Sequence, residues 1–249
     1  MFDTIILLTG PIEEAVLASV LRERNPALEI RHVKSHAELE ALPSALLSKA
    51  RLIAFVTPVI VPKHILETLG YGAYNFHPGP PHYPGWLPAY FATYDGATEF
   101  GTTAHRMHER VDSGPIIGVE TFAVRPNTPV EHLEQLALVS VARLFWNLAR
   151  ILATQAGPLA ALPVAWSGRR STRRNFATLC EISADISKDE LERRIGVFGA
   201  GCFGLSPTIT LHGREFRYVA PEAKTDLQAP GIVPAQSPDE PALAAATSP

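Results

Sequence analysis

Cysteine is almost missing from this chain of 249 residues: Cys180 and Cys202 are the only two, without CxxC spacing or a histidine cluster beside them. That speaks against a disulfide scaffold and a zinc site, and a reducing cytoplasm is the expected setting. Positive charge is not in surplus either, with 22 Lys and Arg against 25 Asp and Glu. Phosphate backbones attract proteins through excess cationic side chains, so nucleic acid is not expected as the main partner. The N-terminus, MFDTIILLTG, has no basic stretch and turns polar too early for a secretory segment or a membrane span. A soluble, uncleaved chain with no membrane partner is therefore expected. A GxSxG elbow, a P-loop and a full GxGxxG after the first strand are all lacking, which weakens the serine hydrolase, nucleoside triphosphatase and dinucleotide dehydrogenase readings. No internal repeat is present.

What the chain does have is 46% hydrophobic composition, enough for one sizeable core and a small appended unit. TIILL ends at Thr9 and Gly10 and is followed by Ile12, Val16, Leu17, Val20 and Leu21 at helical spacing, which reads as strand, glycine turn, helix. Leu52 to Val56, the turn prolines Pro58 and Pro62, and a helix from Lys63 to about Leu69 repeat that order. Tyr74, Phe76 and the segment Thr102 to Met107 read as further strands. The alternation predicts an α/β fold: a Rossmann-like, doubly wound, mostly parallel sheet with helices on both faces. Thr128 as N-cap, Pro129 and Glu131 open a long helix to about Leu152, with Leu133, Leu136, Val139, Val141, Leu144, Phe145, Leu148 and Ile151 as its buried stripe.

SGRRSTRRN, residues 167–175, reads as a linker closing a catalytic domain of residues 1–166. Beyond it, a strand from Phe176 to Ile182, a short helix capped by Ser187 and a hairpin turning at His212 and Gly213 predict a small α+β subdomain over residues 176–220. Residues 221–249, rich in Pro, Ala and Ser without periodicity, are expected to be disordered.

Titratable and turn-forming residues gather where strands should end. In YNFHPGPPHYPG, Asn75 and His77 lie two apart, so on a strand both side chains leave the same face. The prolines that follow cannot continue a ladder and stiffen the exit loop. In GTTAHRMHERVDSGPII, Asp112 falls in a turn just after the strand that holds His105. Each residue alone has a structural explanation, in a cap, a turn or a core. Together an amide, an imidazole and a carboxylate supply a donor for a developing oxyanion, a proton donor and a proton acceptor, at the strand ends where open α/β sheets bind ligands. That set suits acyl transfer without a covalent enzyme intermediate, and no metal is required.

Asn-x-His-Pro with its Pro-rich loop, followed by G-x-T-x-H-x-M and V-D-x-G-P-I-I, resembles the folate-dependent formyltransferase family over about residues 50 to 155. The resemblance implies 10-formyltetrahydrofolate as co-substrate. It implies that Asn75 and His77 bind the formyl oxygen and that Asp112 holds His77 and helps move the amine's proton. The TPVIVP loop, at Val59, Ile60 and Val61, falls where that family grips the pterin, and His108, Glu109, Arg110, Val111 and Asp112 form the opposite wall. His105 matches the family's second histidine, expected to act on the substrate side or to support the sheet end. Thr9, Gly10, Gly79, Pro80 and His82 are candidates on the acceptor side.

Where many members have Ser-Leu-Leu-Pro, this chain has Gly79-Pro80-Pro81-His82, and its first turn lacks the Gly-Ser pattern that holds a phosphate in some relatives. A glycinamide ribonucleotide acceptor is thus not favoured. The short C-terminal unit is similar to that of the nucleotide-sugar enzymes, which implies a small amine acceptor, an amino sugar on a nucleotide, and a possible homodimer through that unit. The alternatives are a formyltetrahydrofolate hydrolase, a methionyl-tRNA or other amine formyltransferase, and a non-catalytic folate-binding relic.

Overall fold

A continuous apolar run in TIILL, with all five residues buried, makes β1 (Thr4–Leu8) an interior strand that feeds two cores. Ile5 and Leu7 face one layer of helices, Ile6 and Leu8 the other. In the computed structural model, which describes residues 2–220, the chain continues through α1 (Pro11–Arg24), β2 (Glu29–Val33), α2 (His36–Glu40), α3 (Ser44–Leu47), β3 (Ala50–Phe55), α4 (Lys63–Thr68) and β4 (Ala73–His77). Next come α5 (Pro88–Tyr94), β5 (Glu99–Arg106), β6 (Ile116–Ala123) and the long α6 (Val130–Thr154). The expected disordered segment 221–249 lies outside the described residues.

The six-stranded sheet has the order β2-β1-β3-β4-β5-β6. β2, β1, β3 and β4 run parallel, β5 is added antiparallel to β4, and β6, antiparallel to β5, runs in the direction of the parallel set again, giving the mostly parallel α/β sheet that the sequence predicts. α1 and α6 cover one face through Leu17, Leu21, Val141, Phe145 and Leu152. α2, α3 and α4 cover the other through Leu39, Leu47 and Ile65. Arg51, fully buried, locks the end of α6: its guanidinium donates to the carbonyls of Leu152 at 2.6 Å and Gln155 at 2.7 Å, a cation at the negative end of the helix.

Several local expectations are corrected. The predicted strand from Phe176 to Ile182 is the helix α7 (Arg173–Cys180), and only β7 (Glu181–Ile182) is extended. The hydroxyl of Thr172 accepts from the N–H of Asn175, an N-cap that overrides the apolar run behind it. Thr128 does not cap α6; Pro129 is the N-cap residue, and the Thr128 hydroxyl donates instead to the Arg125 carbonyl. Ile12 and Val16 on α1, and Val139 and Ile151 on α6, are exposed, because each helix buries a narrower face than its apolar residues allow.

The stretch expected as a linker is tied down. Ser167 N–H donates to the Pro81 carbonyl at 3.0 Å, Ser171 N–H donates to that of Pro84 at 2.9 Å, and Arg173 already opens α7. Ser187 does cap α8 (Lys188–Phe198), and β8 (Thr208–Leu211) and β9 (Arg214–Arg217) form the hairpin. Phe176 and Phe198 are buried against Tyr90 of α5, so these elements share a third hydrophobic core with the main sheet.

Candidate functional site

β4 presents Asn75 and His77 on one face, and antiparallel pairing sets His105 of β5 directly opposite Asn75. A register shift between Ala104 and His105 lets β5 turn away toward the loop that carries Asp112. Asp112 sits in the left-handed region, φ 46°, which an aspartate tolerates better than most side chains, and that turn points its carboxylate back at β4. The four residues thus meet in one crevice. His77, His105 and Asp112 are buried and Asn75 is half-buried.

The hydrogen bonds assign each atom. His77 Nε2 donates to the Tyr83 carbonyl at 3.1 Å, so Nδ1 carries the lone pair and faces Asp112 Oδ2 at 3.7 Å, beyond direct hydrogen bonding. Oδ2 itself accepts the Gly85 N–H at 2.8 Å. His105 Nδ1 donates to the Arg106 carbonyl at 3.0 Å. In the neutral ring this leaves Nε2 to accept from Asn75 Nδ2 at 3.2 Å, and the second N–H of that amide is then available to a ligand. Asp112 Oδ1, 3.2 Å from His105 Nε2, is a buried oxygen with no hydrogen-bond donor.

Burial lowers the His77 pKa from its ordinary 6.5, against the opposing charge of Asp112. Burial would raise the Asp112 carboxyl, but at the acid pH where it titrates the charge of the two protonated imidazoles, a hydrogen bond from His105 and the Gly85 N–H outweigh it and hold it at about 2. Asp112 is therefore ionised at neutral pH, while His77 favours its neutral form.

Two cavities meet at Asn75. A narrow cleft of about 60 Å³ is lined by Val59, Ile60, Val61, His108, Glu109 and Val111 together with Asn75, His105 and Asp112. It draws together most of the expected folate-side residues. Arg110 is exposed outside it, and Lys63 ties Glu109 to α4 at 3.1 Å. Among the described residues the backbone N–H groups of Ile60 and Val61 have no acceptor, so they are free to hold a ligand. On the other side of Asn75 and His77 opens a cavity of about 540 Å³, mostly apolar, walled by Trp86, Leu87, Ala137, Leu138 and Phe203. Glu134 is its one carboxylate, and burial and the charge of Glu131 raise its pKa.

The remaining acceptor-side candidates separate. Gly79 is where only glycine fits: a Cβ there would lie 2.6 Å from His77 Nε2 and 2.7 Å from Pro88. Pro80 accepts the Tyr83 N–H in the turn that brings the Tyr83 carbonyl to His77. His82 points outward and is exposed. Thr9 is buried, its hydroxyl donating to the Phe55 carbonyl at 3.1 Å, and neither Thr9 nor Gly10 lines the two cavities. Trp166 went unnoticed in the sequence. Its ring packs edge-on against His105 with centroids 5.0 Å apart, and its N–H donates to the Gly114 carbonyl at 2.8 Å, closing the back of the crevice. A lone tryptophan before a polar stretch was the one signal available.

Comparison with known proteins agrees with this geometry. Residues 32–141 match the formyl transferase family. A methionyl-tRNA formyltransferase of Listeria monocytogenes is 31% identical over 113 residues, 45% of this chain and 34% of the relative, so the match spans about a third of that relative's length. Among solved structures, a sugar N-formyltransferase from a Shewanella species superposes with a TM-score of 0.70 at 15% identity, covering 88% of this chain and 98% of that one. An N-formyltransferase from Helicobacter canadensis, solved in complex with folinic acid and dTDP-3-aminofucose, gives a TM-score of 0.59 at 15% identity, covering 80% and 81%. At such identities the structural likeness establishes the shared fold. The matched stretch, residues 32–141, includes Asn75, His77, His105 and Asp112, so the part of the chain that is similar to the formyl transferase family is the part that builds the crevice.

Proposed function

We propose that this protein is a folate-dependent N-formyltransferase that moves the formyl group of 10-formyltetrahydrofolate to the amine of a small acceptor, an amino sugar carried on a nucleotide. The observation that carries the reading is the single crevice in which Asn75 has a free amide N–H, His77 a lone pair facing a carboxylate, and Asp112 a buried oxygen without a donor.

The narrow cleft at Val59 to Val61 receives the pterin on its free backbone N–H groups, and must widen to do so, since ligand pockets usually exceed about 300 Å³. The apolar cavity receives the acceptor. As the amine nitrogen bonds to the formyl carbon, Asn75 donates to the oxygen that becomes negative. Asp112 Oδ1 accepts the proton that the amine loses, and His77 Nδ1, facing the same carboxylate, carries it on. The carbon–N10 bond then breaks and that proton ends on N10 of the folate.

The sugar reading is supported by the names of the solved structures with this fold, among them an enzyme crystallised with dTDP-3-aminofucose and folinic acid. The similarity to methionyl-tRNA formyltransferases favours a second reading, an aminoacyl-tRNA acceptor. The experiment is formate release and formyl transfer from 10-formyltetrahydrofolate with no amine, with dTDP-linked amino sugars and with methionyl-tRNA. We expect transfer only with the amino sugars. Formate release without any amine would make the protein a hydrolase, and transfer to the tRNA alone would establish the second reading.

A further inference from the structure

Formyl transfer to an amine moves one more proton than Asp112 and His77 handle. At neutral pH a simple amine is largely its ammonium ion, R–NH3+, whose nitrogen has no lone pair for attack. Turning it into the amide R–NH–CHO removes two protons, one before attack to expose the lone pair and one as the carbon–nitrogen bond forms. The second is the proton that Asp112 takes and N10 receives. The first must leave earlier, and Asp112 does not line the apolar cavity where the amine is held.

That cavity has a carboxylate of its own. α6 sets Glu134, Ala137 and Leu138 on one face by their spacing of three and four residues, and all three line the cavity together with Asn75 and His77. Glu134 is half-buried. Among the described residues no cation and no hydrogen-bond donor holds its carboxylate, while burial and the charge of Glu131 push its pKa upward. An unpaired carboxylate in a mostly apolar wall gains from a cation, and a raised pKa makes it a better proton acceptor. The titratable and charged groups around it leave that role open. Tyr90 of α5, bonded to Cys202, is held neutral by burial, and Glu131 is exposed and outside the lining. His77 has Nε2 committed to the Tyr83 carbonyl and Nδ1 turned to Asp112. Arg173 donates to the Phe203 carbonyl at 3.0 Å and does not line the cavity. Leu138 and Phe203 in the lining are exposed, so a proton on Glu134 has a way out to water.

We propose that Glu134 is a second general base, which receives the acceptor as its ammonium ion and takes this first proton. R–NH3+ and the carboxylate become R–NH2 and the carboxylic acid, and the lone pair freed on nitrogen attacks the formyl carbon. Glu134 then gives the proton to water. One turnover thus converts R–NH3+ and 10-formyltetrahydrofolate into R–NH–CHO, tetrahydrofolate and H+. The inference rests on the formyl-transfer reading, but not on what carries the amine.

The test is formyl transfer by the full chain to dTDP-3-aminofucose at saturating 10-formyltetrahydrofolate, followed from pH 6.5 to pH 9.5. Glu134→Gln keeps the shape of the side chain and removes the base; Glu134→Asp keeps the base on a shorter stem. Both variants should melt near the wild-type temperature, since no protein group holds this carboxylate. We expect kcat/KM for the amine to fall by about tenfold or more in Glu134→Gln at pH 7. The loss should shrink to within about threefold at pH 9.5, where the amine enters already as the free base. Glu134→Asp should keep more of the pH 7 activity than Glu134→Gln, with affinity for a non-reactive folate analogue unchanged in both. Wild-type activity in Glu134→Gln at pH 7, or a loss that stays the same at pH 9.5, overturns the inference alone, the latter by making Glu134 only a part of the wall. A wild type inert at every pH overturns the acceptor reading and this inference with it, so the two failures are told apart.

Discussion

The two cavities on either side of Asn75 are built by different means. The narrow one mixes apolar and polar walls, is made largely from turns that follow β3 and β5, and its working parts are backbone N–H groups and buried titratable side chains. The broad one is apolar and is assembled from residues far apart in the chain, Trp86, Leu138 and Phe203. In the first, strand register sets Asn75 opposite His105, and the turn at Asp112 brings its carboxylate to them. The second is walled by Asn75 and His77 on one side and chiefly by apolar side chains on the other, and those apolar side chains supply shape rather than reacting groups. On the proposed function, changes to that apolar wall should alter acceptor choice more than reaction chemistry.

The strongest way to break that division is Asp112→Asn. The amide keeps the shape of the carboxylate but loses its charge and its capacity to take a proton. Turnover should fall by about 10²- to 10³-fold while affinity for a non-reactive folate analogue stays within a few-fold, measured by steady-state kinetics and equilibrium binding. Loss of folate affinity with turnover kept would make Asp112 an anchor instead.

The next effect is on stability against pH. The folded state holds the Asp112 carboxyl at about 2, below its ordinary 3.8, so it is the ionised form that folding favours. Its contribution is present above about pH 4 and is lost as pH falls toward 2. The depression corresponds to about 2 kcal/mol. Urea unfolding between pH 5 and pH 2 should show a shallower acid loss in Asp112→Asn than in the wild type, and identical slopes would contradict the buried pairing.

The smallest effect sharpens the contrast from the other side. Phe203 is 62% exposed and borders only the apolar cavity. Phe203→Ala should raise KM for the amine acceptor by about tenfold, with kcat and folate affinity unchanged, because it removes contact area and no reacting group. An equal loss in kcat would mean that the two cavities are coupled.

The sheet, the long core helix and the pairing of Asn75 with His77 were legible because they follow from periods of two and 3.6 residues and from turn chemistry at Gly and Pro. α7 was misread as a strand because the apolar run Phe176 to Ile182 is short, and its direction is set by the cap at Thr172 and by packing on Tyr90. The exposed faces of α1 and α6 could not be read either, since how much of a helix is covered depends on the neighbour that covers it.

Local order along the chain thus determined by itself that Asn75 and His77 share a strand face and that a stiff proline loop follows them. Only the tertiary structure decided that His105 stands opposite Asn75, that the Tyr83 carbonyl takes the Nε2 proton of His77, and that Gly85 and Trp166 complete the crevice. The reason is physical. Side-chain periodicity is a property of consecutive residues, whereas register between strands and the burial of a charge depend on groups tens of positions apart, whose meeting no local pattern records.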